Sequence, residues 1–308
     1  MIEIENLSRK FGDLTAVDGL NLKVDEGEIF GFLGPNGAGK TTTIRMLCCL
    51  ISRTSGEARI AGLDIADPVD SIKIRSIIGL LPENVGLYND LNAYDNLDFY
   101  SKLYGCSKSY REENIRHFLD LMGLWDKRDV SVGDFSKGMK QKLAIARALI
   151  HDPKILFLDE PTANLDPESA KTVRDFIYDL KKEKNTTIFL NTHNLDEAQK
   201  LCDKIGIFNQ HLLAYGTPEE LEESVWGNKT VLQLDEVTDK ITAALEGFMF
   251  KHMEVKDNQI ILDVSNPEKE NPLIVDAVIG AGGKVQYVYR LSPTLEDAYL
   301  KTIRGQRK

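Results

Sequence analysis

The fold of this chain is decided by Gly34-Pro35-Asn36-Gly37-Ala38-Gly39-Lys40-Thr41-Thr42. The spacing, G-x-x-x-x-G-K-T, is the P-loop or Walker A pattern. An apolar run, Ile29–Leu33, precedes the loop and predicts a buried strand, and a helix-forming run, Thr41–Leu50, follows it. Glycines let such a loop turn its backbone N–H groups inward and hold polyphosphate at the helix N-terminus. In this pattern Lys40 reaches the β- and γ-phosphates and the Thr41 hydroxyl binds Mg²⁺.

Length, composition and charge limit the number of domains and the class of protein. The chain has 308 residues, 42% of them hydrophobic, which is enough for a large domain and a second smaller one. The formal net charge of −10 argues against a general nucleic-acid binder. No run approaches the roughly 20 apolar residues that span a bilayer, and the start, Met1–Glu5, does not read as a signal peptide. We therefore expect a cytoplasmic protein, with reduced thiols at Cys48, Cys49, Cys106 and Cys202.

Two further apolar runs end in polar residues. Ile155–Leu158 is followed by Asp159 and Glu160, which is the Walker B pattern, and Thr187–Thr192 is followed by His193. In a Walker B pattern the strand delivers Asp159 to Mg²⁺ and Glu160 to an attacking water. Ligands of open parallel sheets gather at the carboxyl ends of the strands. The ends of these two runs and of the run before Gly34 should therefore converge.

The remaining sequence predicts other elements around this sheet. Alternating apolar residues up to about residue 28 predict strands, and apolar spacing of three and four predicts helices from residue 84 to about Leu149. Ser136 and Gly138 stand where one of these helices begins, either as a cap or as a second phosphate-binding helix N-terminus. A late hairpin at residues 205–215 closes this part of the chain.

The order of elements changes after about residue 228. Strands and helices then follow as β-α-β-β-α-β, with the second helix expected near Leu273–Gly280, which suggests a small ferredoxin-like domain. A final helix is expected from Thr294 to about Arg304. This part contains no phosphate loop or nucleophile motif, so packing, dimerisation or regulation is its default role.

Over residues 1 to about 220 the chain resembles the ATP-binding subunit of an ABC transporter. The resemblance rests on motifs in family order: Phe11 as the A-loop aromatic, Gly34–Thr42 as the Walker A motif, Leu81-Pro82-Glu83 as the Q-loop, Phe135-Ser136-Lys137-Gly138-Met139 as the signature, Leu158–Pro161 as the Walker B motif, Asn164-Leu165-Asp166 as the D-loop and His193 as the switch histidine. Any one of these motifs is weak evidence, but the ordered set is highly specific.

The sequence departs from the family pattern at several positions. Glu83 replaces the Q-loop glutamine and adds negative charge near the catalytic acids. In the signature, Lys137 replaces the second glycine, while Ser136 and Gly138 are retained. Such substitutions resemble those of ABC ATPases that pair with separate export-type membrane subunits, as does the closing stretch 292–300.

The resemblance implies the fold class and the domains. We expect an α/β P-loop NTPase domain over residues 1–220, with a parallel sheet core, an antiparallel β subdomain and a helical subdomain at about 84–150. A small α+β accessory or regulatory domain should occupy residues 228–308.

The resemblance also implies the site. Glu160, His193 and Lys40 are the expected catalytic residues, and Thr41, Glu83 and Asp159 the expected Mg²⁺ ligands. ATP binding is expected from Phe11, Gly34, Pro35, Asn36, Gly37, Ala38, Gly39, Lys40, Thr41, Thr42, Ser136, Gly138 and Asp166. Ser136 and Gly138 would act across a head-to-tail dimer, because one chain has a single Walker A and a single signature.

The expected partners are a second copy or a homologous ATP-binding subunit and an integral membrane permease, with no nucleic acid. The chain would then lie on the inner face of the membrane and power transport, with export expected. There are two alternative functions: a soluble ABC ATPase switch without a membrane subunit, and a P-loop kinase or transferase. A single ATP-binding unit without a heptad run disfavours the first, and the Walker B Glu160 with the signature and His193 disfavours the second.

Overall fold

The computed structural model describes residues 1–163, 165–224, 229–248, 250, 252–291 and 294–305, with only the backbone of Glu183 and Lys184. Asn164 of the D-loop motif and Ser292 and Pro293 of the closing stretch lie outside the described residues. The chain divides into two compact units, Met1–Thr217 and Pro218–Lys308. In the described part of the chain, no helix combines the length and the apolar character that a bilayer span requires.

The first unit contains a six-stranded sheet in which five strands are parallel. The strand order is β10-β9-β3-β8-β7-β6, and β10 pairs antiparallel with β9 at one edge. The strands are β3 (Ile29–Leu33), β6 (Ile78–Leu81), β7 (Ile155–Asp159), β8 (Thr187–Thr192), β9 (Lys204–Asn209) and β10 (His211–Gly216). Every residue of β3, β7 and β8 is buried, as expected for strands covered on both faces. The sequence prediction of a parallel sheet core is confirmed.

A second, antiparallel sheet completes the β structure of this unit. Its order is β2-β1-β4-β5, formed by β1 (Ile2–Phe11), β2 (Leu14–Val24), β4 (Ser55–Ile60) and β5 (Leu63–Asp64). One apolar core joins residues of both sheets. Buried phenylalanine rings fill this core, with the Phe32 and Phe208 centroids 4.5 Å apart and those of Phe30 and Phe189 5.1 Å apart. The strand that delivers the P-loop is thereby fixed on both sides.

Helices surround the sheets. Those of the first unit are α1 (Lys40–Leu47), α2 (Pro68–Ile77), α3 (Ala93–Leu103), α4 (Lys108–Leu121), α5 (Lys137–Leu149), α6 (Pro167–Lys184) and α7 (Leu195–Leu201). Ser136 caps α5 by accepting a hydrogen bond from the Met139 amide, and Asp166 caps α6 by accepting one from the Ser169 amide. Both signature and D-loop residues therefore sit at helix N-termini.

Two side chains tie α3 and α5 to the central sheet. Arg147 of α5 donates to the Gly86 carbonyl at 2.8 Å, and its guanidinium lies 5.1 Å from the Tyr100 ring. His151, between α5 and β7, stacks flat on Tyr104 with 3.6 Å between centroids, and its Nε2 lies 2.9 Å from the Ile78 carbonyl oxygen. Since that carbonyl can only accept, Nε2 carries the proton. Nδ1 is buried without a hydrogen-bond partner among the described residues.

The second unit is an antiparallel sheet with helices on one face. The sheet order is β12-β13-β11-β14, from β11 (Lys229–Leu234), β12 (Met253–Lys256), β13 (Gln259–Asp263) and β14 (Val285–Leu291). The helices are α8 (Pro218–Glu223), α9 (Asp239–Glu246), α10 (Pro267–Gly280) and α11 (Leu295–Gly305). A core that includes Leu232, Ile241, Leu262 and Ile274 lies between the sheet and the helices α9 and α10. The β-α-β-β-α-β order predicted from the sequence is confirmed.

The structure differs from the sequence predictions in two helices. Helix α10 begins at Pro267, not near Leu273, because Asn266 caps it and Pro267 occupies its first turn. Pro272 then lies inside the helix, where the sequence alone predicts a break. Helix α2 was not expected, although Asp67 and Pro68 form its cap and first turn.

Burial of His151 predicts a pH-dependent stability. Burial lowers the pKa of His151, so on acidification the unfolded chain takes up a proton that the folded chain resists. The free energy of unfolding should be constant above pH of about 6.5 and fall as the pH drops below that value. Urea unfolding between pH 7.5 and 5.5 measures this slope. His151→Gln should flatten it, whereas the same change at exposed His117 should not; equal slopes in both variants would contradict the account.

Candidate functional site

A cavity of about 490 Å³ opens at the carboxyl end of β3. Its walls come from the P-loop, from the ends of β1, β7 and β8, and from the hairpin between β9 and β10. The lining includes Phe11, Leu14, Asn36, Gly37, Ala38, Gly39, Lys40, Thr41, Thr42, Glu83, Asp159, Glu160, Asn191 and Gln210. Residues that are far apart in the sequence therefore share one cavity.

The P-loop is shaped by two close backbone approaches. A Cβ atom at Gly34 would lie 2.1 Å from the Phe208 carbonyl oxygen, and one at Gly39 would lie 2.0 Å from that of Ala16. Gly39 also has a φ of +98°, which glycine adopts without strain. Lys40 is buried and donates to the carbonyls of Gly34 at 2.6 Å and Pro35 at 3.1 Å. Burial lowers the pKa of Lys40, and the carboxylates of Glu160 and Asp159 oppose this shift.

Asp159 is held at the end of β7 by two side chains. Thr41 Oγ1 donates to Asp159 Oδ2 at 3.0 Å, and Asn191 on the neighbouring strand β8 donates to Oδ1. Burial raises the pKa of Asp159, and the two hydrogen bonds counteract it, while the charge of Glu83 adds to the rise. The carboxylate is thus fixed beside the first turn of the P-loop helix.

Glu160 occupies a strained turn directly after Asp159. Its φ is +54°, a left-handed conformation that is uncommon for residues other than glycine. The Glu160 amide donates to the Asn191 carbonyl at 2.9 Å. The buried Gln141 side chain on α5 donates to the carbonyls of Glu160 at 3.3 Å and Pro161 at 3.0 Å. These hydrogen bonds hold the backbone of Glu160 in its strained conformation, and its carboxylate lines the cavity.

His193 reaches the site through Glu160. Its Nδ1 lies 2.7 Å from Glu160 Oε1, while most of the imidazole is exposed. His193 does not itself line the cavity. The structure thus joins the ends of β7 and β8, as the sequence predicts, through a direct contact between their two polar side chains.

Five of the predicted nucleotide-binding residues do not line the cavity, namely Gly34 and Pro35 of the P-loop together with Ser136, Gly138 and Asp166. Ser136 and Gly138 are at the N-terminus of α5, and Asp166 is at the N-terminus of α6. The signature and the D-loop are neighbours, because a Cβ at Gly138 would touch Leu165 Cδ2 at 3.4 Å. Ser136 and Asp166 are exposed. This second cluster therefore does not contribute to the cavity of its own chain.

Phe11 lies at the far wall of the cavity, at the end of β1. Its ring is half-exposed, and the Arg9 guanidinium lies over one face, 4.4 Å from the centroid. Phe11 and Leu14 together give the cavity an apolar part of its wall. A planar base can stack on an aromatic ring of this kind.

The oxygen atoms at this site fit a Mg²⁺ ion that is held by the protein and by substrate phosphates together. Within the described residues, no group of three His, Cys, Asp or Glu side chains is placed to hold a metal on its own. Mg²⁺ is usually held by one or two protein oxygens together with substrate phosphates, at about 2.1 Å in an octahedron. Thr41 Oγ1 and Asp159 Oδ2 lie 3.0 Å apart and both residues line the cavity. Glu83 lines the same cavity.

Sequence reasoning missed three residues. Asn191 and Gln141 hold the Walker B acids, and Gln210 joins the P-loop to β2, since its amide donates to the Ala38 carbonyl at 2.8 Å and its carbonyl accepts from the Asp18 amide at 2.7 Å. Asn191 could have been found as the polar residue in an otherwise apolar strand. Gln141 and Gln210 act on backbone atoms and leave no signal in the sequence.

Comparison with known proteins identifies similar chains. A family model described as ABC transporter matches residues 17–163. The chain is 37% identical to the bacitracin transport ATP-binding protein BcrA of Bacillus licheniformis, over 99% of this chain and 98% of that protein. It is 35% identical to the linearmycin resistance ATP-binding protein LnrL of Bacillus subtilis (strain 168), over 76% and 74%. A solved dimeric ATP-binding cassette, MJ0796, in a post-hydrolysis state bound to ADP and Pi, matches with a TM-score of 0.66 and 26% identity, covering 70% of this chain and 98% of that one.

The Gln141 contacts predict a positioning role in ATP turnover. Gln141→Leu keeps the volume of the side chain but removes both hydrogen bonds, so the Glu160 turn loses its hold on α5. We expect kcat to fall about tenfold or more with KM for ATP little changed, because the misplaced group acts on the reacting atoms. Steady-state phosphate release measures both. Gln141→Ala, which also leaves a cavity, is the comparison. Full activity in the Leu variant and loss only in the Ala variant would show that the volume of the side chain matters and its hydrogen bonds do not.

Proposed function

The chain belongs to the ATP-binding subunits of ABC transporters, and we propose that two copies hydrolyse ATP at shared sites to power export through a membrane permease. ATP binding and ATPase activity follow from the family. One observation carries the shared-site proposal: the cavity holds Lys40, Asp159 and Glu160, whereas Ser136 and Gly138 face outward on the same unit. The dimeric MJ0796 cassette supports this proposal.

ATP lies along the cavity with its base on Phe11 and its phosphates in the P-loop. The N-terminus of α1, with the loop amides, receives the phosphate oxygens. Lys40 exchanges its bonds to the Gly34 and Pro35 carbonyls for bonds to the β- and γ-phosphates. These carbonyls hold the ammonium group in position beforehand, so little rearrangement is needed on binding.

Thr41, Asp159 and Glu83 would hold Mg²⁺ together with the phosphates. The ion neutralises charge on the β- and γ-phosphate oxygens when bound. Glu83, in place of the glutamine of the family, contributes an anionic oxygen to this set. The Asn191 hydrogen bond fixes the rotamer of Asp159, so that its Oδ2 faces Thr41 and not the core.

Glu160 polarises the water that attacks the γ-phosphate, and His193 donates to that phosphate. The 2.7 Å contact between His193 Nδ1 and Glu160 Oε1 supports a joint role for the two side chains. Phosphoryl transfer depends mainly on positioning and on charge stabilisation, and rigid placement of Glu160 by Gln141 and Asn191 supplies the former. Removal of such a base typically costs 10²–10⁴-fold in rate.

A second copy supplies the rest of the site. Its Ser136 and Gly138, at the N-terminus of α5, face the γ-phosphate, and Lys137 adds a positive charge there. Asp166 lies beside the signature and links one site to the other. Because each chain offers one Walker A and one signature, the pairing is isologous and closes with two equal sites.

The permease docks on an aromatic patch in the helical part, formed by Tyr88, Phe99 and Tyr100. Tyr88 and Phe99 are 47% and 38% exposed, with ring centroids 5.1 Å apart. Arg147 contacts Tyr100 and the Gly86 carbonyl from α5, the helix that also carries Ser136 and Gln141. A displacement of the aromatic patch would therefore move α5, and with it the signature residue Ser136 and the Gln141 side chain that contacts the Glu160 turn.

The chain acts at the inner face of the membrane through this permease. Bacitracin transport and linearmycin resistance, named for two relatives, support export as the direction. The choice of substrate belongs to the permease, and the accessory unit after Pro218 is a regulatory or dimerisation domain.

Replacement of Glu160 tests the shared ATPase site. Glu160→Gln should retain ATP binding and lose at least about 10²-fold in turnover, so the ATP-closed dimer accumulates. Light scattering with and without ATP measures the dimer, and phosphate release measures turnover. Glu57→Gln, at an exposed position of β4, is the matched control and should behave as the wild type. Unchanged turnover in the Glu160 variant would remove Glu160 from this role.

Replacement of Tyr88 tests the docking patch. Tyr88→Ala should leave basal ATPase activity intact and abolish its stimulation by the permease, because it removes an exposed ring and not a cavity residue. Tyr178→Ala removes an equally exposed tyrosine from α6 and is the control. Tyr94, also in this helical part, is half-buried and should give a weaker effect. Full stimulation in the Tyr88 variant would place the permease elsewhere.

A further inference from the structure

The two edges of the C-terminal sheet are built differently. Edge strand β12 has four residues, and two of them, Glu254 and Lys256, are charged. Edge strand β14 has seven residues with a single charge, Arg290, and in the described part of the chain it pairs only with β11. Proteins protect exposed edges by keeping them short or by charging them. The β12 edge follows this rule and the β14 edge does not.

The β14 edge also exposes large apolar surface. Tyr287 is 69% exposed, Val288 39% and Tyr289 43%. Tyr287 and Tyr289 share one face of the sheet, and the Tyr289 hydroxyl lies 3.3 Å from Gln259 Nε2 on β13. The face behind Val288 is the one that packs on α9 and α10. A long and weakly charged edge is a template for another strand.

The sequence of β14 is nearly symmetric about Val288. It reads Val285-Gln286-Tyr287-Val288-Tyr289-Arg290-Leu291. In an antiparallel pairing of two such strands centred on Val288, each Tyr287 lies opposite a Tyr289, and each Gln286 lies opposite an Arg290. The outer pair, Val285 and Leu291, is apolar. Aromatic pairs stabilise facing strands, and the amide can accept from the guanidinium.

From this symmetry we infer that β14 pairs with β14 of a second copy, across a twofold axis at Val288. The two four-stranded sheets then form one continuous eight-stranded sheet, and the pairing is isologous and closed. A partner strand of another sequence would not use the symmetry about Val288. This contact does not depend on nucleotide and goes beyond the shared ATP site.

The contact is too small to hold a dimer alone. A pair of seven-residue strands buries less than the roughly 1,200 Å² of a stable interface. Linked to the ATP-binding units of the same two chains, it raises their effective concentration and favours reclosure after each turnover. The C-terminal unit thereby keeps two copies together when the ATP-dependent contact opens.

A cysteine at the symmetry centre tests the pairing in the full-length chain. Facing residues have Cβ atoms about 4.5–5.5 Å apart, so Val288→Cys should form a disulfide dimer under mild oxidation without ATP. Val255→Cys, on the β12 edge and 46% exposed, is the matched control and should stay monomeric. Non-reducing electrophoresis gives both yields. A yield for Val288→Cys no higher than that of the control overturns the inference.

A charge at the same position gives an independent measurement. Val288→Arg places two cations opposite each other and should weaken nucleotide-free self-association about tenfold, as measured by sedimentation. Val255→Arg should leave it unchanged, and circular dichroism confirms folding of both. Equal association constants overturn the pairing. The two proposals can fail separately. If the Glu160→Gln chain forms a dimer with ATP, the shared ATP site is supported whatever the result at β14. If the Val288→Cys cross-link forms but the ATP-dependent dimer of the Glu160→Gln chain does not, the shared ATP site is contradicted and the β14 contact is supported.

Discussion

The parallel pairing of β8 between β3 and β7 is the constraint on which the site depends. In this register Leu33 lies beside Thr192, and Asp159 lies beside Asn191. Every polar group that follows these strands therefore emerges at one edge of the sheet. The three strands are buried throughout, so a shift by one residue would turn large apolar side chains and the acids to the wrong faces. The core and the site thus specify the same register.

The groups at this edge are held by protein contacts that ATP can replace or use. Lys40 is bonded to loop carbonyls, Asp159 to Thr41 and Asn191, and Glu160 to His193. Burial works against the charged forms of Lys40 and Asp159, and their mutual attraction offsets part of that cost. The strained Glu160 turn is held by Gln141 from α5, the helix that Ser136 caps at its N-terminus. In the proposed function, this helix would couple the position of Glu160 to the pairing of two chains.

The sequence predicted the parts of the structure that are encoded locally. Apolar runs that precede Gly34, Asp159 and His193 identified the central strands, and Ser136 marked a helix start. The β-α-β-β-α-β order of the second unit was also readable. The contacts that could not be predicted depend on strand register or on backbone carbonyl groups. They are the hydrogen bond from Asn191 to Asp159, those from Gln141 to the carbonyls of Glu160 and Pro161, and the backbone hydrogen bonds of Gln210. Helix α10 was predicted to begin near Leu273, whereas Asn266 caps it and Pro267 occupies its first turn.

Mixing two inactive variants tests most directly whether the site is shared between chains. Lys40→Ala destroys the P-loop but leaves the signature, and Gly138→Asp destroys the signature but leaves the P-loop. If two chains form each site, a mixed dimer contains one intact site, and an equimolar mixture should recover about one quarter of the wild-type ATPase rate. Each variant alone should be inactive. A mixture that stays as inactive as its components would contradict the shared site.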